Sequence, residues 1–336
     1  MIRRWFLVVT ALASLALALS ACGSKKDVTT THGALQRVDL MLDYLPNADH
    51  AAIYAAQATG AFRQAGLDVR IHVPSDPAAP LKLVAAGKAD IAVSYEPELL
   101  LARDKGLRVA SIAALVQKPL TSIISLNGKV KTAKDLAGKT VGTAGIPYQT
   151  AYLQTIAKAA GVDPASIHEV NVGFNLVPAM VSKKVDATLG AYWNVEAVQL
   201  EREHKHPTVI RMEQAGMPTY QELVLIARQE DLRSRGPVMR RFVQALARGA
   251  KAVKENPAVG IDPLLKANPD LDRGFVEESV RATIPTFFPE NTSFPWGYQN
   301  ATEWEAYGRW MVQQGLLKTL PTPTSLTNEF LPGRGI

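Results

Sequence analysis

A β-rich run and the polar turn that follows it, VDLMLDYLPNADH at residues 38–50, give the first indication of the fold. The run predicts a strand over 38–42, and the pattern after it predicts a helix over 51–64. Open α/β sheets bind ligands at the carboxyl ends of their strands, where such turns lie. We therefore expect the turn at residues 43–50 to lie at a binding edge of a sheet.

The same alternation of short β-rich runs and longer helical patterns continues along the chain, which favours an α/β fold of parallel sheets with helices on both faces. Further strands are expected at 69–73, 91–94, 109–115, 122–126, 140–143, 187–190 and 223–227. Further helices are expected at 81–86, 148–160, 179–183 and 238–255.

The order of these elements predicts two lobes. The chain is expected to leave a first lobe near Asn127, because KDLAGK at residues 134–139 opens a new α/β unit, and to return near Glu222. Two connections between lobes make a hinge that closes around a ligand, so the cleft is the expected binding site. The predicted division is a first lobe of residues 37–126 and 222–336 and a second lobe of residues 127–221.

The N-terminus has the layout of a signal peptide over residues 1–21, with Arg3 and Arg4 before an apolar run at 5–19. This run is shorter than the roughly 20 apolar residues of a spanning helix. LSACG at residues 19–23 is similar to the bacterial lipobox, which predicts lipidation of Cys22; the alternative is an ordinary secretory peptide with a chance cysteine. We expect an extracytoplasmic protein, anchored to the cell membrane through a flexible linker over residues 22–36.

Composition excludes several classes of protein. Cys22 is the only cysteine, so the exported domain is expected to be stabilised by its core and not by disulfides. The formal charge of +6 falls to +4 without residues 1–21, which hold two arginines and no acid. Lysine and arginine are scattered among acids, which disfavours nucleic-acid binding, and the six histidines are not spaced as metal ligands.

Four segments carry a family resemblance: DYLPNADH at 43–50, AAGKAD at 85–90, DLAGKTVG at 135–142 and GAYWNVE at 190–196. Together they resemble the periplasmic binding proteins for thiamine pyrimidine precursors, in the wider group that includes the yeast pyrimidine synthase. The second and third segments are common among solute-binding proteins, including those for sulfonates and nitrate, and therefore indicate the fold more than the ligand.

The resemblance implies a two-lobed, type II-like periplasmic-binding-protein fold, with mixed sheets flanked by helices and a hinge of two crossovers. It also implies an ABC permease and its ATPase as partners, and we expect a monomer that needs no cofactor. The leading ligand is a formylated aminomethyl-pyrimidine or a related thiamine precursor. Riboflavin, another flat heterocycle, or a sulfonate or nitrate are the alternatives.

The first candidate site residues lie in the turn after the first strand. Tyr44 can stack on a flat heterocycle, whereas Asp43 and Asn47 can hydrogen-bond its amino groups and ring nitrogens. His50 is a further candidate. The alternative is that Asn47-Ala48-Asp49 forms only a turn and a helix cap.

Two further candidate segments follow strands. Tyr95 and Glu96 come after 91–94, and Glu96 can accept a hydrogen bond from an amine or can simply lie at a helix N-terminus, which favours acids. In the loop at 143–150, Thr143, Gly145 and Tyr148 are candidates, because a strand-to-helix loop leaves N–H groups free for a ligand.

The second lobe contributes Tyr192, Trp193, Asn194 and Glu196, which suit a small planar base stacked by one ring and hydrogen-bonded at its edge. One of the two adjacent aromatics is expected to pack in the core. At the return crossover, Tyr220 and Glu222 either complete the pocket or line the hinge. The predicted carboxylates repel anions and suit amine-bearing ligands.

The competing class is an enzyme like the yeast pyrimidine synthase, in which the resemblance implies a lysine and a histidine after the GK-D strand and a cysteine-rich segment. The corresponding positions here are Ser94, Glu98 and residues 216–221, which contain no lysine for an imine and no thiolate. We therefore expect a binding protein and not an enzyme.

Overall fold

A computed structural model of the chain describes residues 34–333. The predicted signal peptide, Cys22 and most of the predicted linker lie outside the described residues. Across 34–333, no helix combines the length and apolar character that crossing a membrane requires.

Ten strands form two five-stranded sheets. The strands are β1 (Gln36–Met41), β2 (Leu67–His72), β3 (Ile91–Ser94), β4 (Val109–Val116), β5 (Thr121–Ser125), β6 (Thr140–Thr143), β7 (His168–Asn171), β8 (Ala187–Tyr192), β9 (Thr208–Arg211) and β10 (Leu223–Arg228).

Twelve α-helices flank the sheets within the described residues. They are α1 (Ala51–Ala58), α2 (Ala61–Gln64), α3 (Pro80–Ala85), α4 (Glu96–Asp104), α5 (Pro147–Ala159), α6 (Leu176–Val181), α7 (Glu196–Arg202), α8 (Gln229–Ser234), α9 (Gly236–Glu255), α10 (Ala258–Ala267), α11 (Arg273–Thr283) and α12 (Ala301–Gln313). The helix expected at 51–64 is divided in two, because the backbone at Gly60 takes a positive φ of 73°.

The two sheets share one topology. The first has the order β2-β1-β3-β10-β4 and the second has the order β7-β6-β8-β5-β9. β1 runs parallel to both its neighbours, as does β6, whereas β10 and β5 run antiparallel to theirs. In each lobe, the antiparallel strand comes directly after a connection between the two lobes. The mixed sheets confirm the predicted fold class.

The position of β5 differs from the expectation. The sequence placed this strand at 122–126 in the first lobe, but Thr121–Ser125 pairs with β8 and β9 in the second sheet. The first crossover is therefore residues 117–120, and the second is residues 212–222. A fully buried strand contains no sequence signal for which of two sheets it joins.

Two edge strands, β7 and β9, were not predicted from the sequence. Their residues are mostly exposed or half-buried, so neither strand has a long apolar run that would reveal it in the sequence. The inner strands β5 and β10 are buried along almost their whole length, and so is the edge strand β4, which also pairs with Leu326 at Ser111. This burial explains why the three strands were recognisable in the sequence.

Candidate functional site

A narrow cavity separates the carboxyl ends of the strands of the two sheets. It contains about 310 Å³ of unfilled space, part of it open to solvent, and aromatic rings of the two lobes contact each other beside it. The lobes are therefore closed on each other, and a ligand enters only if they separate. The residues that line it are Asp43, Tyr44, Asn47, Tyr95, Ala144, Ile146, Tyr148, Gln149, Leu176, Gly190, Tyr192 and Glu196.

Asp43 follows β1 and is held rigidly in the wall of the first lobe. The backbone N–H of Asn47 donates to Nδ1 of His50 at 3.2 Å, which leaves the proton on Nε2. Nε2 then donates to Oδ1 of Asp43 at 2.8 Å, and the Tyr95 hydroxyl donates to Oδ2 at 2.8 Å. His50 is fully buried behind the wall, so it orients Asp43 and does not line the cavity.

Tyr44 is the aromatic residue of the turn at 43–50. Its ring meets Phe174 of the second lobe edge-on, with centroids 4.8 Å apart and an interplanar angle of 72°. Burial raises the pKa of the Tyr44 hydroxyl, and the nearby carboxylates of Glu196 and Asp43 raise it further, so the phenol stays protonated at neutral pH. Tyr44 therefore offers both a ring face or edge and a hydroxyl to the cavity.

Glu196 is the carboxylate of the opposite wall, at the start of α7. Its Oε2 accepts the N–H of Tyr192 at 2.7 Å. Burial raises the pKa of Glu196 to about 7, although the hydrogen bond from Tyr192 lowers it in part. With the lobes closed, this carboxyl therefore changes its charge near neutrality.

Gln149 and Gly190 are cavity residues that the sequence analysis missed. Gly190 has a φ of 112°, and a Cβ there would lie 2.2 Å from Nε2 of Gln149. Oε1 of Gln149 accepts the N–H of Ala144 at 2.8 Å, which holds the amide against the end of β6. A glycine inside a strand was the available signal, because it marks a close approach of another group.

Tyrosine rings extend the cavity wall toward the back of the molecule. The ring centroids of Tyr95 in the first lobe and Tyr148 in the second are 5.2 Å apart, and those of Tyr148 and Tyr152 are 5.1 Å apart. Tyr152 contacts Tyr220 and also hydrogen-bonds to the Tyr307 hydroxyl. Aromatic contacts therefore join the lobes behind the cavity.

Several predicted site residues do not line the cavity. The Thr143 hydroxyl donates to Glu169 at 3.0 Å. Gly145 has a φ of 79°, and a Cβ there would lie 2.3 Å from Nδ2 of Asn171, so this glycine serves loop packing. Trp193 is the outward member of the aromatic pair: its ring N–H donates to Pro119 O at 3.1 Å.

Glu96 also points away from the cavity. Its Oε2 accepts the N–H of Gln221 at 2.7 Å, and burial raises its pKa to about 8. The positions compared with the synthase form a local pair, because the Ser94 hydroxyl donates to Glu98 at 2.7 Å.

Tyr220 and Glu222 belong to the hinge and not to the cavity. Glu222 is fully buried, and its Oε2 accepts the N–H groups of Leu120 and Thr121 at 2.7 and 2.8 Å. Its Oε1 accepts the Thr121 hydroxyl at 2.8 Å, and the Tyr220 hydroxyl donates to Oε2 at 3.0 Å. Glu222 therefore ties the second crossover to the first.

Asn194 reaches out of the second lobe and contacts the first. Its amide donates to Asp49 at 2.7 Å and to the Thr283 hydroxyl at 2.6 Å. The described residues contain no group of three His, Cys, Asp or Glu side chains that could hold a metal ion.

Comparison with known proteins places the chain in a family. A family model described as NMT1/THI5 like matches residues 47–259. The formylaminopyrimidine-binding protein of Halalkalibacterium halodurans is 36% identical over 300 residues, 88% of this chain and 90% of that protein. The 4-amino-5-hydroxymethyl-2-methylpyrimidine phosphate synthase of Legionella pneumophila is 26% identical over 301 residues, 88% and 92% of the two chains.

A solved structure extends the comparison to the fold. The alkanesulfonate-binding protein SsuA from Xanthomonas axonopodis pv. citri, bound to MOPS, superimposes with a TM-score of 0.67 at 14% identity. The match covers 88% of this chain and 99% of that one, which confirms the expected fold. The chain belongs to the NMT1/THI5-like family and has the two-lobed fold of the periplasmic binding proteins.

Proposed function

We propose that this protein is the solute-binding component of an ABC importer and captures a thiamine pyrimidine precursor, formylaminopyrimidine or a close relative, between its lobes. The observation that carries the proposal is the composition of the cavity wall. Tyrosine rings and two carboxylates, Asp43 and Glu196, line it, and among the described residues no lysine, arginine or histidine does.

This wall suits a small heterocycle that bears amino groups. The rings of Tyr44, Tyr95 and Tyr192 offer apolar faces and edges to a flat ring. Asp43 and Glu196 come from opposite lobes and accept hydrogen bonds from an amine. Because one carboxylate comes from each lobe, a ligand that bonds to both favours the closed form.

A sulfonate or nitrate is disfavoured despite the similarity of the fold. An anion needs donors or positive charge in the cleft, whereas the two carboxyl groups here disfavour it. Riboflavin is the runner-up among heterocycles, because its flat ring system could also pack against the tyrosine rings of the wall.

Catalysis like that of the pyrimidine synthases is also disfavoured. The pair formed by Ser94 and Glu98 occupies the positions at which the family resemblance implies a lysine and a histidine. Residues 216–221 contain no cysteine. We propose that the protein binds and releases its ligand unchanged.

The proposal also covers the location of the protein, its transport partners and its oligomeric state. The apolar run and Cys22 support export and lipid anchoring, which would hold the receptor close to a membrane permease and its ATPase. We propose a monomer whose first lobe comprises residues 37–116 and the chain after the second crossover, with the second lobe between them.

Isothermal titration of the protein expressed without residues 1–22 tests the function. We expect tight binding of formylaminopyrimidine, weaker binding of riboflavin and no heat with an alkanesulfonate. Tight sulfonate binding without a response to either heterocycle would overturn the ligand assignment. Turnover of a bound pyrimidine precursor into a new product would overturn the assignment as a binding protein.

A further inference from the structure

Asp49 and Asn194 form a buried contact between the lobes. Asp49 lies in the 3₁₀ turn Ala48–His50 of the first lobe and is 1% exposed. Asn194 lies between β8 and α7 of the second lobe and donates to Oδ1 of Asp49 at 2.7 Å. Its side-chain amide also donates to the Thr283 hydroxyl, and its backbone carbonyl accepts the Ser279 hydroxyl; both residues lie on α11. Asn194 is therefore inserted between two elements of the first lobe, an arrangement that exists only when the lobes are closed.

Two acceptors in this contact lack donors. Oδ2 of Asp49 and Oδ1 of Asn194 are both buried, and neither has a hydrogen-bond partner among the described residues. A buried acceptor without a donor costs about 1–3 kcal/mol, and more if it carries charge. A proton on Oδ2 of Asp49 turns that oxygen into a donor, and the acid and the amide can then pair through two hydrogen bonds.

The surroundings of Asp49 do not supply a positive charge. The neighbouring His50 donates to Asp43 through Nε2 and accepts from Asn47 through Nδ1, so neither ring nitrogen is free for Asp49. The charged groups that act on Asp49 are Asp43, Glu196 and Glu222, and all three are acids.

The helices packed against the turn add no buried charge. Tyr54 is the titratable residue of α1. The charged residues of α10 and α11 lie on their solvent sides, with side chains 37–71% exposed where they form ion pairs: Asp262, Arg273, Glu277, Glu278 and Arg281, together with the exposed Lys266. Burial, opposed in part by the hydrogen bond from Asn194, raises the pKa of Asp49 well above its ordinary range.

We propose that closure of the lobes takes up one proton from solvent onto Asp49, so that ligand capture is coupled to pH. On closing, the Asp49 carboxylate gains a proton and pairs with Asn194 as a neutral acid. On opening, water reaches the carboxyl and the proton is released. This inference rests on the proposed function, because it assigns a regulation to the same cleft.

The sign of the effect follows from linkage. In the open form, where water reaches the carboxyl, we expect the pKa of Asp49 to lie in the ordinary range of an aspartate, whereas burial raises it in the closed form. Below the open-state pKa, Asp49 is protonated in both forms, and its favourable contribution to closure is complete. As pH rises from the open-state pKa through the closed-state pKa, this contribution is lost. Between the open-state and closed-state pKa values, the contribution of Asp49 to ligand affinity falls by up to about tenfold for each pH unit.

The test compares wild type with Asp49→Asn, in which an amide of similar size and shape mimics the neutral acid. Formylaminopyrimidine is titrated calorimetrically at near-neutral pH in buffers of different protonation enthalpy, which counts the protons taken up. We expect Asp49→Asn to take up about one proton fewer than wild type and to bind with a flatter pH profile. In the closed form, neither protonated Asp49 nor the amide that replaces it carries a charge, so the proton uptake of Glu196 is expected to be similar in the two proteins. Asp262→Asn, which removes an exposed carboxylate of the first lobe, is expected to match wild type.

A second experiment measures closure of the lobes in the absence of a ligand, through the distance between two dyes. Fluorescent dyes are attached to Lys105→Cys in the first lobe and Lys134→Cys in the second, both at exposed positions. We expect energy transfer to rise as pH falls, and to rise less in the Asp49→Asn background. Equal proton uptake and coincident pH profiles in the two backgrounds would overturn the proposal. If wild type binds no heterocycle but the profiles differ, the proposed ligand fails and the proton-coupled closure stands.

Discussion

The hinge and the cleft each contain a glutamate from the second half of the chain, and the two carboxylates have opposite surroundings. Glu222 is fully buried, and its oxygens accept hydrogen bonds from Leu120, Thr121 and Tyr220. Glu196 is half-buried, accepts the Tyr192 N–H and faces the cavity. The donors around Glu222 are fixed parts of the protein, whereas the cleft around Glu196 leaves space for a donor from outside.

The difference separates a structural carboxylate from a ligand-binding one. A buried carboxylate that is saturated by backbone and hydroxyl donors stabilises the fold and has no reason to bind solute. One that lines a cavity and has a pKa near neutrality is a candidate binding group. Substitutions in the two regions should therefore affect different measurements.

The largest effect is expected for Glu222→Ala in the hinge. The substitution leaves the N–H groups of Leu120 and Thr121 buried without an acceptor, each at about 1–3 kcal/mol. We expect the free energy of unfolding in urea to fall by about 3–5 kcal/mol. Glu213→Ala, an exposed glutamate of the same crossover, is expected to change it by less than about 0.5 kcal/mol. Equal stability of the two variants would contradict the structural role of Glu222.

Glu196→Gln should have the next largest effect, on ligand affinity and not on folding. A hydrogen bond to a charged group contributes about 1.5–3 kcal/mol, so the Kd for formylaminopyrimidine should rise about 10- to 100-fold by calorimetry. Glu201→Gln, an exposed residue of the same helix, serves as the control. An unchanged Kd in Glu196→Gln would remove this residue from the site.

The smallest effect is expected at the rim of the cleft. Arg202 of the second lobe pairs with Asp272 and Glu278 of the first at 3.0 and 3.4 Å, but the partners are exposed. Because exposed ion pairs are weak and screened by salt, Arg202→Ala should weaken binding by no more than about fivefold, and less at high salt. Arg281→Ala, which breaks a pair within α11, is the control. A loss as large as that of Glu196→Gln would place the binding energy at the rim.

The sequence was sufficient to predict the features that depend on local pattern. The turn at 43–50 lies at the carboxyl edge of a sheet, as predicted from the strand before it. Asp43, Tyr44, Asn47, Tyr95, Tyr148, Tyr192 and Glu196 line the cavity because each follows, ends or lies close to a strand at that edge.

The features that were missed depend on contacts between distant residues. Gln149 reaches the cavity because Gly190, on another element, leaves room for it. Asn194 meets Asp49 only when the lobes close. For Glu222, the sequence left a pocket role and a hinge role open, and its contacts with a crossover about a hundred residues away in the chain favour the hinge role. No local pattern records which element lies opposite a side chain.

A crystal structure of the protein with formylaminopyrimidine would test the central claim most directly. The account predicts closed lobes, with the ring against Tyr44 and the exocyclic amine within hydrogen-bonding distance of Glu196. Closed lobes with the pyrimidine bound elsewhere on the surface, or a cleft that holds it through neither Tyr44 nor Glu196, would contradict the account.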